Sequence, residues 1–333
     1  MKKMVSLVIR IGISAGVLFF LFHTLRQEWK TAFSAVLHIP RAALTQALAL
    51  YFFVFIFMSL RLYYLFQGQK IYLPKRECLH LTLIGVFFNN FLPTGAGGDV
   101  IKAYLVAKKT QQTAGSVVSI LMDRVIGLAV LIFLASLSGL VITGGPISVP
   151  APVLKLSYFL LFVSVGVIAL FSIPYLYSGF SKLIMAIPFQ RIKPCFIKIL
   201  NTIDQYGQHK QILFKALLVS FLTQLVFAFI IHILSRGLGI TLPVFHLLVV
   251  LPLIHIVTLI PSINGLGIRE GTLVYLLGQT MGTEKALALA LLSTAILIFW
   301  SLFVGGILYI VFLLKGGQND SKGAIGNFSV PHL

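Results

Sequence analysis

The sequence predicts an all-α integral membrane protein, and three observations carry that prediction. Of the 333 residues, 58% are hydrophobic and only 10% are charged, against about 25% charged in soluble domains. Mean hydropathy is +1.00. Six mostly apolar runs reach the ~20 residues a helix needs to cross the hydrocarbon of a bilayer, and two further apolar segments are broken by Pro, Gly and charge. The expected architecture is six full spans plus two re-entrant hairpins of broken helix.

The elements follow in order. Val5–Leu25 is the first span. It begins like a signal sequence, but no small-residue cleavage site follows the apolar run, so an uncleaved span is expected. Leu44–Phe66 is the second. Cys78–Lys109 holds the first break, FFNNFLPTGAGGDVIKAY. Val117–Ile142 and Leu154–Leu176 are the next spans. Gly179–Lys210, the longest loop, mixes apolar and basic residues, as a helix lying on the membrane surface does. Ile212–Leu234 spans again, Leu242–Gly282 holds the second break, HIVTLIPSINGLGIREGTLVYLL, and Ala286–Leu314 is the last span. Residues 1–315 form one polytopic membrane domain, and 316–333 read as a disordered tail.

Charge sets the topology. The net charge of +18 does not point to nucleic acid, because most basic residues sit in short loops or at span ends, where they orient the chain and touch anionic lipid. If Cys78–Lys109 crossed the membrane once, Lys102, Lys108 and Lys109 would lie outside. The basic loop holding Lys182, Arg191 and Lys193 would follow them, while the uncharged loop Gly144–Pro152 would lie inside. A re-entrant segment reverses all three violations of the positive-inside rule and makes Arg61, Lys70, Lys75, Arg76, Lys102, Lys108 and Lys109 cytoplasmic. The same argument makes Leu242–Gly282 re-entrant from the other face and puts both termini in the cytoplasm. Cys78 and Cys195 show no CxxC spacing and fall on the cytoplasmic side, where thiols stay reduced.

The two breaks resemble each other. Pro93-Thr94 leads to Gly97, Gly98, Asp99 and Lys102; Pro261-Ser262 leads to Gly265, Gly267, Arg269 and Glu270. Each half then reads as two spans, a hairpin and one more span. Three crossings per half make the second half inverted, and inverted repeats with paired Pro/Gly-broken helices place a transporter's site at the repeat interface.

Backbone that leaves a helix inside a membrane must find partners or line a wet cavity. A Gly-rich turn opening into a helix presents N–H groups beside the positive end of the helix dipole, which suits an anion, and Lys102 adds a positive charge. The alternative is structural: Asp99 caps the helix, Asn89 and Asn90 bond the turn, and the glycines permit tight packing. Of the eight acidic residues, Asp99, Asp123 and Glu270 fall within the membrane segments, where ionisable groups are costly and are functional candidates by default. Asp123 and Arg124 are neighbours on a helix, so they point about 100° apart. Ser116, Ser119, Asp123 and Gly127 form a small polar stripe suited to the bundle interior, whereas Arg124 either binds substrate or snorkels to the cytoplasmic interface. Arg269 either joins the site or forms a structural bridge with Asp99 or Asp123. His232, His246 and His255 lack metal-ligand spacing and read as packing residues, and no metal site is expected.

These residues carry a family resemblance. Asn90-Phe91-Leu92-Pro93-Thr94, Gly97-Gly98-Asp99 and Lys102, then Asp123-Arg124, then Ile260-Pro261-Ser262, Gly265 and Gly267-Ile268-Arg269-Glu270 resemble the flippase-like membrane domain of the lysylphosphatidylglycerol synthase family. The resemblance implies a domain that moves an aminoacylated phospholipid across the cytoplasmic membrane after a soluble domain has made it. This chain has no room for that soluble domain, so a stand-alone translocase is implied. Lys102 stands where the family more usually has Arg, which weakens bidentate recognition of phosphate.

The leading expectation is therefore a translocase of an anionic or lipid-linked headgroup, needing no cofactor. Its partners are anionic lipid and the membrane, with no role for nucleic acid. One alternative is an intramembrane enzyme acting on phospholipid or polyprenyl phosphate, but the sequence lacks DDxxD, HExxH, Walker and GxSxG patterns. The other is a non-transporting partner of a lipid- or glycan-modifying enzyme.

Overall fold

The structure, a computed structural model, describes residues 22–91, 97–141, 210–257 and 265–311, with single positions at 16, 19, 155, 158, 159, 162, 206. Every regular element among the described residues is helical. The helices are α1 (Glu28–Leu37), α2 (Arg41–Gly68), α3 (Lys75–Phe91), α4 (Gly97–Thr110), α5 (Thr113–Val141), α6 (Lys210–Gly237), α7 (Val244–Val257), α8 (Ile268–Met281) and α9 (Thr283–Phe299), which continues through a π-helical segment, Trp300–Gly306, to Val311.

Four helices are long and apolar enough to cross a membrane: Arg41–Gly68, Thr113–Leu137, Lys210–Gly237 and Thr283–Val311. They coincide with four of the six expected spans, and the chain is a multi-pass membrane protein. The expected spans Val5–Leu25 and Leu154–Leu176 lie outside the described residues, apart from the helical positions just named and the stretch from Phe22. The expected surface helix in Gly179–Lys210, apart from the helical positions Tyr206 and Lys210, and the expected tail also lie outside them. α3 has 17 residues and α4, α7 and α8 have 14 each. At ~1.5 Å per residue these reach about 21–26 Å, short of the ~30 Å hydrocarbon core.

α2 and α6 form the centre. Their facing sides carry small residues at helical spacing, Ala43 and Ala47 on one and Ala216, Ser220 and Ala228 on the other, all buried. Small side chains let helix backbones approach closely where no water is available to drive association. Outward-facing Phe53, Phe133, Phe214, Leu217 and Phe229 remain exposed, as a face toward lipid requires.

The packing repeats across the two halves. α2 packs on α3 as α6 does on α7, α3 on α4 as α7 on α8, and α4 on α5 as α8 on α9. Between halves, α7 packs on α5, and α3 packs on the π segment of α9. Exchanging α2 with α6, α3 with α7, α4 with α8 and α5 with α9 carries the principal contacts of these eight helices onto one another. α1 stands apart. The sequence reads its residues as a loop, yet they form a helix that packs on α9 with Ala32 buried, because the apolar positions Trp29, Ala32, Ala35 and Val36 share one side.

Close approach at the α3–α9 contact depends on glycine. A Cβ on Gly305 would lie 2.5 Å from the carbonyl oxygen of Leu83, and one on Gly306 would lie 3.1 Å from the Phe87 ring. Ser301 donates to the Val86 carbonyl at 3.4 Å. At the cytoplasmic rim expected from the charge pattern, Lys109 pairs with Glu77 at 2.6 Å, with Lys109 largely exposed. Exposed pairs contribute about 0.2–1 kcal/mol. Lys109→Ala is therefore expected to lower stability by less than ~1 kcal/mol in thermal unfolding in detergent.

Candidate functional site

The ion pairs described inside the helix bundle fall into three clusters, and two of them sit at the starts of α4 and α8. In the first, Asp99 lies in the first turn of α4. One carboxylate oxygen meets Lys102 Nζ at 2.7 Å, and the other accepts from Arg124 Nε on α5. Lys102 and Asp99 are nearly buried, whereas the Arg124 side chain is 39% exposed. Lys102 reaches Asp99 by laying its methylenes over Gly85 of α3, where an added Cβ would come within 2.8 Å of Lys102 Cδ.

The turn before α4, with Pro93 and Thr94, lies outside the described residues. Gly97 and Gly98 are buried. The N–H of Gly98 donates to Asn89 Oδ1 of α3 at 2.8 Å, so this amide holds the two hairpin helices together. A Cβ on Gly98 would overlap the carbonyl oxygen of Gly85. Gly98 is thus glycine for packing, which is the structural alternative among the expectations. Asn90, one residue on from Asn89, is half-buried near the end of α3.

In the second cluster, Gly265 and Gly267 take positive φ, +76° and +83°, a conformation glycine adopts without strain. They turn the chain into α8. Glu270 reaches back so that one carboxylate oxygen accepts the Gly267 N–H at 2.7 Å, satisfying an amide at the helix start. The other oxygen accepts from Arg269 Nη2 at 3.0 Å and from the Thr294 hydroxyl on α9 at 2.5 Å. Arg269 Nη2 also donates to Thr294 Oγ1 at 2.9 Å. Arg269 therefore bridges neither to Asp99 nor to Asp123; its described partners lie in its own half. Pro261 and Ser262 lie outside the described residues.

Asp123 belongs to neither hairpin. Arg61 of α2 grips it through both oxygens, Nε to Oδ1 at 2.6 Å and Nη2 to Oδ2 at 3.0 Å. Arg61 Nη1 donates to Ser220 of α6 at 3.1 Å. Gly127, one turn along α5 from Asp123, makes room for the guanidinium, since its Cβ would stand 3.0 Å from Arg61 Nη1. The pair is buried on both sides and ties α2, α5 and α6 together. As the helical geometry predicts, the neighbours Asp123 and Arg124 point to different partners.

Arg61 and Thr294 are the members the sequence reading missed. It counted Arg61 among the cytoplasmic charges, although the residue lies within the apolar run Leu44–Phe66 and is buried. The cost of a charge in hydrocarbon, applied to the acids, would have singled it out as well. Thr294 carries no signal among the many Ser and Thr of apolar helices. Of the histidines, His232 and His255 bond to the carbonyls of Leu242 and Leu251.

Residues 7–306 match the model of the family described as Lysylphosphatidylglycerol synthase TM region. No curated protein and no solved structure matches the chain. The match covers most of the sequence and runs through all three ion clusters. The chain belongs to the lysylphosphatidylglycerol synthase transmembrane-region family.

Proposed function

We propose that the protein moves an anionic or lipid-linked headgroup between the leaflets of the cytoplasmic membrane, through a polar site at the starts of α4 and α8. The observation that carries this reading is the Asp99–Lys102–Arg124 cluster, in which one carboxylate is shared by two cations within a membrane segment and one of those cations remains partly exposed. Ionisable groups in that position are expensive and mark substrate pathways. A structural salt bridge would be served by one cation.

The lengths of α3, α4, α7 and α8 support their being re-entrant hairpins. The exchangeable packing of the two halves supports an inverted repeat, with three crossings in each half and both termini cytoplasmic. In that arrangement broken helices of the two halves face one another across the interface where transporters bind substrate. Pro93, Thr94, Gly97 and Asn90 shape the first tip, and Pro261, Ser262 and Gly265 the second. Arg124 receives the phosphate from the cytoplasmic leaflet, and Arg269 with Glu270 lines the opposite tip.

The test is leaflet exchange in liposomes carrying the purified protein and fluorescent phosphatidylglycerol, read by a membrane-impermeant quencher. Arg124→Ala is expected to slow exchange about 10–100-fold, the consequence of losing one charge-assisted hydrogen bond of about 1.5–3 kcal/mol, and Lys109→Ala is expected to leave it unchanged. Absence of exchange for phosphatidylglycerol, its lysyl derivative and a polyprenyl phosphate, with and without a proton gradient, would overturn the reading in favour of an enzyme or a non-transporting partner.

A further inference from the structure

The end of α2 on the face that the charge pattern puts in the cytoplasm carries two aromatic rings held between two lysines. Tyr63 and Tyr64 meet edge to face, their ring centroids 5.5 Å apart. Lys75 Nζ of α3 stands 5.6 Å from the centroid of the Tyr63 ring, and Lys215 Nζ of α6 stands 5.7 Å from that of Tyr64. The rings are half-buried and both lysines are exposed. Neighbours on a helix point about 100° apart, so these adjacent tyrosines collect one cation from each of two helices that pack on α2.

Neither lysine is neutralised by the protein. Among the described residues no carboxylate pairs with Lys75 or Lys215. Glu77, the acid nearest to Lys75 in sequence, is held through both oxygens by Lys109, at 2.6 and 2.7 Å. What holds each ammonium is the π face of a tyrosine, which restrains its position and leaves its charge in place. Gln67 Nε2 donates to the Tyr63 hydroxyl oxygen at 2.9 Å, so that hydroxyl keeps its own hydrogen for a further acceptor. The row thus offers two positive charges and an O–H donor.

The surface beside it is apolar. Phe214, Leu217 and Leu218 of α6 are exposed, and Leu218 lies one turn from Lys215 toward the hydrocarbon. A ligand that meets both surfaces at once has an anionic head and apolar tails. A free anion or an acidic protein segment would meet only the first.

We propose that this row docks the headgroup of an anionic phospholipid in the cytoplasmic leaflet. Lys75 and Lys215 supply the charge, Tyr63 supplies a hydrogen bond to phosphate, and the acyl chains lie along Phe214 and Leu218. The bound lipid bridges α3 to α6 across the end of α2. The site uses none of the residues of the three ion clusters and does not require that the protein move lipid.

The experiment counts bound lipids by native mass spectrometry of the purified full-length protein in a neutral detergent, titrated with phosphatidylglycerol or phosphatidylcholine. Wild type is expected to carry a phosphatidylglycerol that phosphatidylcholine does not replace. Lys75→Gln combined with Lys215→Gln is expected to carry one fewer. Affinity at this place falls about twentyfold, from about fivefold for each lysine near a membrane surface, and phosphatidylcholine binding is unaltered. Lys75→Arg with Lys215→Arg is expected to keep the lipid, because a guanidinium also stacks on aromatic rings. Lys108→Gln is the control: that lysine is exposed on the same face, among the described residues no ring lies under it, and the count is expected to match wild type. The same loss of one lipid is expected in an Arg124→Ala background, where a lipid held at the ion cluster is already weakened, so failure here is distinguishable from failure of the translocase reading. An unchanged count in the folded double lysine variant would overturn the proposal. So would an equal loss in Lys108→Gln, which would mean a diffuse basic surface. Displacement of the bound lipid by equal concentrations of glycerophosphoglycerol or poly-glutamate would also overturn it, in favour of a soluble anion or an acidic protein.

Discussion

Arg61→Met is expected to destabilise the protein by about 3–5 kcal/mol, the cost of stranding one member of a buried ion pair. Asp123 would keep its position between α2, α5 and α6, but both oxygens would lose their donors at 2.6 and 3.0 Å, and Ser220 would lose the Nη1 contact. Water cannot compensate, because both side chains are less than one-tenth exposed. The measurement is thermal unfolding of the purified protein in detergent. A second variant separates the ion pair from the space it fills. Arg61→Met combined with Asp123→Leu removes both charges and is expected to recover most of the loss, since apolar replacement of an entire buried pair is often neutral. A single variant as stable as wild type would show that the pair is not the lock between the three helices.

Gly98→Ala carries the other large effect. The added methyl would overlap the carbonyl oxygen of Gly85 and come within 2.9 Å of Asn89 Cγ. The oxygen belongs to a helix backbone and cannot rotate away, so α3 and α4 must separate. That would break the Gly98–Asn89 bond and displace Lys102, whose stem runs over Gly85. Overpacking of this kind costs about 1–3 kcal/mol or more, again read as a drop in the unfolding midpoint. Gly278→Ala is the control: its Cβ would meet nothing closer than Thr283 Cγ2 at 3.4 Å, an ordinary van der Waals contact. Because Ala is favoured over Gly in a helix interior by up to about 1 kcal/mol, that variant is expected to match or exceed wild type. If Gly98→Ala were equally harmless, the hairpin would not be packed as tightly as described.

The broken helices and their charges were legible because the membrane makes polarity conspicuous. Against a background of apolar residues, Asp99, Asp123, Arg124, Arg269 and Glu270 stand out one by one, and each takes part in a described ion cluster. The partnerships were not legible. Helical geometry says that Asp123 and Arg124 diverge, yet it does not say that Asp123 finds Arg61, 62 positions away, or that Arg124 turns to Asp99. Arg61 was read as a topology marker because positive charge near a span end usually is one. Its burial depends on α5 and α6 closing over it, with Gly127 leaving the room. Asn89 was singled out for the turn, but that its bond goes to Gly98 is a matter of where α4 comes to rest.

What the sequence determined by itself is the class of the chain and its conspicuous residues: an all-helical membrane protein, four of whose apolar runs are helices long enough to span, and a short set of charged side chains that are costly in lipid without a partner. Those are properties of single residues and of local spacing, so one dimension suffices. What only the tertiary structure decided is which partner each charge has. In a chain with twenty-six cations and eight acids, many pairings are possible on paper. The close approach of α3 to α4 at Gly85 and Gly98, of α2 to α5 at Gly127, and of α8 to α9 at Thr294 selects among them, because a salt bridge acts over a few ångströms and helix packing sets those distances.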